Sequence, residues 1–222
     1  MKLLPHLDPN DDGNAQLKGL VGQLHPDDVR AFVDKLATQA LWPKFHTYRE
    51  LLVGVHLRDR GFDVRYERAL GTQTPDWSLV NDEVLLEILD VVTLHQRYDK
   101  DTEIRNAIGA SGRWSGWITV PPDHVYRKLS DKAGQYSRVA QDSKLPYVLA
   151  VYGDFNASIS REEMEYVLFS HHGGWFTSAA EVSGLLYFRQ TMLRFEYTYY
   201  RNSQATCQSA MLLSQGSNGG EA

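Results

Sequence analysis

Thr74-Pro75-Asp76-Trp77-Ser78-Leu79-Val80-Asn81-Asp82-Glu83-Val84-Leu85-Leu86-Glu87-Ile88-Leu89-Asp90-Val91-Val92 reads as a β-hairpin. The first strand runs from Asp76 to Val80, a turn falls at Asn81-Asp82, and a longer, almost wholly apolar strand returns from Val84 to Val92. Asp76 opens the first strand. Glu87 stands among Leu85, Leu86, Ile88 and Leu89, a run too apolar for a surface strand. A carboxylate buried there alone is costly, so Glu87 requires a partner.

Upstream of the hairpin, Met1 to Leu24 holds Pro5, Pro9, Gly13, Gly19 and Gly22 and reads as a partly flexible arm, residues 1–24. His25-Pro26-Asp27-Asp28 starts a helix, with proline early and two acids in the first turn. Val29, Phe32, Val33, Leu36 and Ala40 follow at helical spacing. Pro43 ends that helix and opens a second from about Lys44 to Arg60, with Gly61 as its C-cap. Phe62 to Leu70 alternates as a half-buried strand.

Downstream, Glu103–Ile108 reads as a short helix and Trp114–Val120 as a strand stopped by Pro121-Pro122. Asp123 caps a long helix to about Asp142. Tyr147–Tyr152 is a short, fully buried strand. Arg161–Ser170 is helical and His171-His172-Gly173-Gly174 a loop. Val182–Arg189 and Leu193–Tyr200 form a closing strand pair, and residues 214–222 a flexible tail. These elements predict one α/β domain over residues 25–213: a mixed central β-sheet flanked by helices, with an extra N-terminal helix and extra C-terminal strands.

Composition sets the outer bounds. The 222 residues are 42% hydrophobic and 23% charged, the profile of an ordinary globular protein. A net charge of -5 gives no global basic footprint, so any DNA contact needs a local patch. Cys207 is the single cysteine, which excludes an intramolecular disulfide and a cysteine metal cluster. No apolar run reaches the length of a membrane span. Asp8, Asp11 and Asp12 stand where a signal peptide needs a basic start, so the cytoplasm is the expected compartment. An exposed apolar edge after His171 would suit a homodimer.

Three acids come in order: Glu50 on the second helix, Asp76 and Glu87. A tight turn would bring Glu87 to the same end of the hairpin as Asp76. Carboxylates presented together by neighbouring elements bind a hard divalent cation such as magnesium. Such a cation activates water and stabilises charge on an attacked phosphodiester. A helical acid, then Gly61 to Glu67, then Pro75-Asp76-Trp77, then an apolar strand carrying Glu87 resembles the PD-(D/E)xK nuclease superfamily. Lys128 to Gln135 and Leu145 to Val151 resemble its usual continuation, so the likeness covers a core of about residues 44–152.

The resemblance implies a restriction-endonuclease-like fold and a nuclease that hydrolyses DNA phosphodiesters with Mg2+ or Mn2+. Asp76 and Glu87 would hold the metal, with Glu50 assisting. The family's lysine, two residues after the second acid, positions the attacking water or steadies charge; here Leu89 stands in that place. Lys132 is the candidate replacement, because it falls inside the apolar stripe Val125, Leu129, Tyr136 and Val139 of the long helix. Lys128 and Gln135, at the edge of that stripe, are candidate substrate contacts. Arg97, Arg105, Arg113 and Arg127 would complete a phosphate-binding rim.

Plainer roles stand beside these. Asp76 is also what a strand start after proline looks like, Glu50 could be solvated, and Glu87 and Lys132 could be structural ion-pair partners. A nuclease-fold module that has lost catalysis and binds protein or nucleic acid is the alternative function. His171-His172 has ligand capacity, although adjacent histidines seldom point the same way. Tyr197, Tyr199 and Tyr200 with Arg194 and Arg201 could stack on bases, but packing on the core is the commoner use of such a strand.

Overall fold

The computed structural model describes residues 12–94, 106, 110, 120–153, 159–191 and 194–212. It is an α/β protein in which two compact units divide the chain, Met1–Val91 with Ser209–Ala222 and Val92–Gln208. The elements expected at Glu103–Ile108 and Trp114–Val120, the rim residues Arg97, Arg105 and Arg113, and the tail fall outside the described residues, apart from Asn106 and Val120. Among the described residues no helix is long and apolar enough to cross a membrane.

The first unit begins with helix α1 (Asp12–Val21), where the sequence had suggested only an arm. Leu17, Val21 and Leu24 are buried, at spacings of four and three residues, so one helical face is anchored despite the glycines. Helix α2 (Pro26–Thr38) starts as expected: the His25 side chain accepts from Asp27 N, Pro26 follows, and Asp27 and Asp28 occupy the first turn. Helix α3 (Leu41–Asp59) starts before Pro43 rather than after it. Proline is tolerated there because the amide it lacks has no carbonyl partner in a first turn. Gly61 takes a φ of 86°, the left-handed position that closes the helix.

Strand β1 (Asp63–Tyr66) pairs antiparallel with β2 (Trp77–Asn81), and β2 pairs antiparallel with β3 (Val84–Leu94). The hairpin turn is Asp82-Glu83, both at positive φ, the geometry that matches the twist of the flanking strands. A bulge between Leu79 and Val80 shifts the register, so that Leu79 faces Glu87 but Val80 faces Leu85. Phe32 of α2 lies 4.0 Å from Tyr66 and 5.7 Å from Trp77, centroid to centroid, and joins helices to sheet.

Gly54 lets the sheet approach α3. A Cβ on Gly54 would stand 2.1 Å from Cζ2 of the Trp77 ring. The ring cannot retreat freely, since it is wholly buried and its indole N–H donates to Glu50 O at 2.8 Å. Alanine would gain about 1 kcal/mol of helix propensity, but overpacking of this kind costs about 1–3 kcal/mol or more. Gly54→Ala is therefore expected to lower stability by about 1 kcal/mol or more in urea denaturation. A variant as stable as the parent would show that ring and helix are not in forced contact.

The second unit is built on helix α4 (Pro122–Ser143) and strands β4 (Tyr147–Gly153), β5 (Gly184–Gln190) and β6 (Phe195–Arg201). The N-cap of α4 is Pro121, and Asp123 lies in the first turn instead of capping it. Its buried stripe is Val125, Leu129, Ala133 and Ala140. Strand β4 is buried throughout and runs parallel to β5, which pairs antiparallel with β6. Helix α5 (Arg161–Phe169) is closed at its start by a capping box between Ser160 and Glu163. A tight turn at His171–Gly173 and the short helix α6 (Trp175–Ser178) follow. Asn202 pins this region: its buried Nδ2 donates to Ala179 O at 3.0 Å and Val182 O at 2.8 Å.

Phe188 and Tyr197 stack at 5.5 Å and 10°, and Tyr200 is buried. At these positions the β6 aromatics serve the second unit's own packing.

Candidate functional site

In the first unit, three elements bring ionisable side chains to one place. Glu50 lies in the middle of α3 with its side chain 4% exposed. Asp76 stands immediately before β2, and its Oδ2 accepts from Val91 N at 2.7 Å, which ties it to β3. His46, one turn before Glu50 on α3, places Nε2 3.3 Å from Glu50 Oε1. Ligand atoms of His46, Glu50 and Asp76 all lie within 4.8 Å of one another. Burial pushes the Glu50 pKa up, and the Asp76 charge pushes it further.

Lys35, from α2, is the cation of this cluster. Its Nζ stands 2.6 Å from Glu67 Oε1, 2.5 Å from Tyr66 Oη and 3.5 Å from Glu50 Oε2. Tyr66 Oη in turn donates to Glu50 Oε2. Burial opposes the Lys35 charge, but the hydrogen bond to Glu67 and the nearby Glu50 and Asp76 outweigh it and raise its pKa. Glu67 holds a left-handed φ of 46° at the end of β1, and its amide donates to Asp76 O at 3.0 Å. A non-glycine residue held there stores strain of the kind that collects at functional sites.

Glu50 and Asp76 are thus brought together as the sequence suggested, and Glu87 has other company. The register sets Glu87 opposite Leu79, three positions along from Asp76. Its carboxylate is wholly buried and accepts from Ser209 Oγ at 2.9 Å and Ala210 N at 2.7 Å. Continuing the register past Trp77–Leu89 puts Asp90, only 1% exposed, level with Asp76. The position two beyond Asp90 is Val92 and that two beyond Glu87 is Leu89, so neither strand acid has a lysine two residues on.

Lys132 is half-buried on α4, in the second unit, where its own carbonyl accepts from Tyr147 Oη at 3.3 Å. On the same helix Lys128 is half-buried and Gln135 exposed.

The sequence reading passed over Lys35, His46 and Tyr66. Lys35 and His46 each carried a signal. Asp28, Phe32, Lys35 and Leu36 fall at one-turn and two-turn spacings, so Lys35 lies on the buried face of α2. This is the pattern that singled out Lys132. His46 precedes Glu50 by four residues on one helix face. Ser209 carried no local signal, because it meets Glu87 across 122 residues.

Burial pushes the Glu87 carboxyl up from 4.5 to about 7, against the downward pull of Ser209 and Ala210. Between those values the folded chain holds a proton that the unfolded chain releases, so this group's contribution falls as pH rises from 4.5 to 7. Above pH 7 the ionised group costs roughly 3 kcal/mol, from about 1.4 kcal/mol per unit. Glu87→Gln is expected to match the parent at pH 5 and to exceed it by up to roughly that amount at pH 8. His56, held down to about 4 by burial and then by Arg60, slopes the opposite way. The parent-to-variant difference in chemical denaturation is therefore the quantity to follow. A difference that does not change with pH would contradict the assignment.

Comparison with protein-family models, curated proteins and solved structures gave no match.

Proposed function

We propose that His46, Glu50 and Asp76 hold a divalent cation and that the protein is a metal-dependent nuclease of the PD-(D/E)xK type acting on DNA phosphodiesters. The observation that carries this reading is the convergence of the three ligand atoms, with a lysine 3.5 Å from the central carboxylate. Among the described residues, the order of the named elements from α3 to β4, a helix, three strands, a helix and a strand, supports it, as does the position of Asp76 immediately before β2.

The donor set fits a cation. Two carboxylates crowd one another, one of them buried, and Glu50 is less acidic than usual for that reason. A bound ion would relieve this repulsion, lower the pKa of a bound water and draw charge from the phosphoryl oxygens. An imidazole beside two carboxylates suits manganese better than magnesium, which favours all-oxygen sites. Hydrolysis would add the water oxygen to phosphorus and break one P–O ester bond, with the leaving oxygen taking up a proton. The chain's own part is positional. Glu50 and Asp76 fix the ion's place, Val91 N fixes Asp76, and Trp77 fixes the Glu50 backbone. Lys35 supplies positive charge where the phosphoryl group gains negative charge. In this reading Lys35 fills the role first sought in Lys132.

The test is nicking of plasmid and single-stranded DNA with Mn2+ or Mg2+. Manganese should support the faster reaction, and Glu50→Gln should abolish it. A second reading, the nuclease-fold binding module, is favoured by one observation: Lys35 and Tyr66 already occupy Glu50 Oε2. If Glu50→Gln leaves DNA binding intact and no nicking occurs with either metal in the parent, the module reading replaces the nuclease.

A further inference from the structure

The second unit carries an independent cluster at the turn that follows α5. Adjacent histidines in regular structure send their rings apart. Here His172 adopts φ 53° and ψ 33°, and Gly173 and Gly174 are also at positive φ. The backbone therefore folds back on itself, and the two imidazole centroids lie 4.1 Å apart. Both Nε2 atoms point at one oxygen from another element: Asp123 Oδ1 lies 2.7 Å from His171 Nε2 and 2.9 Å from His172 Nε2. The three ligand atoms are all within 4.8 Å of one another.

We infer that Asp123, His171 and His172 form a binding site for a borderline-soft divalent transition ion of the zinc class. Two imidazoles and one carboxylate are the donor types such ions take, and three protein ligands leave a fourth position open. Around a tetrahedral ion with bonds of about 2.0–2.1 Å, ligand atoms stand roughly 3.3 Å apart. The present separations thus need to widen by about half an ångström. Exposure allows it, since the side chains of His172 and Asp123 are 63% and 76% accessible. His171, 16% accessible, is the fixed member. Tyr126 meets both rings edge-on, at 6.2 and 5.6 Å, and its hydroxyl is held by Ser178 Oγ at 2.7 Å. Tyr166 lies 5.5 Å from the His171 ring. These contacts orient the imidazoles before any ion arrives.

A plain ion pair between one aspartate and two histidines is the competing account, and metal titration separates the two. Zn2+ is titrated calorimetrically into the full chain carrying Asp76→Asn, which disables the cluster of the first unit. Co2+ is added in parallel, because the intensity of its visible absorption reports whether it sits in a tetrahedral site. Saturable one-to-one binding is expected, weakened at least tenfold by His171→Ala, by His172→Ala and by Asp123→Asn. His172 is exposed enough that its alanine variant should keep the parent's metal-free melting temperature. Absence of saturable binding, or binding unchanged in two of the three variants, would overturn the inference.

Discussion

Asp76→Ala is expected to reduce manganese-dependent DNA nicking by about 100-fold or more, the scale on which losing one transition-state electrostatic contact acts. The reasoning is geometric. Asp76 is one of three converging ligands, and Glu50 and His46 both lie on α3, so Asp76 is the one ligand of the three that comes from outside that helix. Alanine also leaves Val91 N without its acceptor, which costs about 1–3 kcal/mol if the amide stays dry. Asp76→Asn separates the two effects. Its amide oxygen can still accept from Val91 N, but the charge is gone. Nicking should fall nearly as far in Asp76→Asn as in Asp76→Ala, with urea stability close to the parent's. Equal nicking by parent and both variants would trace the activity to a contaminant and remove the nuclease reading.

The second large effect falls on stability. Trp77 is wholly buried, stacks with Phe32, packs at a tilt against Tyr66, and donates its indole N–H to the Glu50 carbonyl. Truncating a buried tryptophan costs about 3–5 kcal/mol through lost transfer energy and the cavity left behind. The Glu50 carbonyl loses a donor as well. Trp77→Ala should therefore lower stability by about 4 kcal/mol or more in urea denaturation. Trp77→Phe keeps most of the ring and loses only the donor, so it should cost less than half as much. Similar losses in the two variants would mean that the hydrogen bond, and not the packing, holds α3 against β2.

The hairpin was legible because its signals are local. Its apolar runs and the polar residues between them gave both strands to within one or two residues. Helix α1 was obscured by Gly13 and Gly19 within it, both of low helix propensity, and by Gly22 just past its end. The buried spacing of Leu17, Val21 and Leu24 was nevertheless present in the sequence. Glu87 was rightly read as buried and in need of a partner. That partner is a serine and a backbone amide near the far end of the chain, which no local pattern announces.

A two-residue periodicity also cannot show a bulge, and the bulge at Leu79/Val80 changes which residue lies level with which. The expectation that Asp76 and Glu87 share one end of the hairpin assumed an unbroken ladder. Lys35 and Lys132 illustrate a different limit. Both lie on apolar helix faces, and the sequence does not tell which carboxylates such a lysine meets. In the structure Lys35 meets Glu50, Tyr66 and Glu67, three side chains from two other segments.

Direct measurement of manganese binding tests the central claim most closely. Mn2+ is titrated into the full chain carrying His171→Ala, which silences the second unit's cluster, and free Mn2+ is followed by electron paramagnetic resonance. One saturable site is expected, weakened at least tenfold by Glu50→Gln and by Asp76→Asn and unaffected by Glu87→Gln. Equal Mn2+ affinity in the Glu50→Gln and Asp76→Asn variants and their parent, or loss of the site in Glu87→Gln alone, would contradict the assignment of His46, Glu50 and Asp76 as the metal centre.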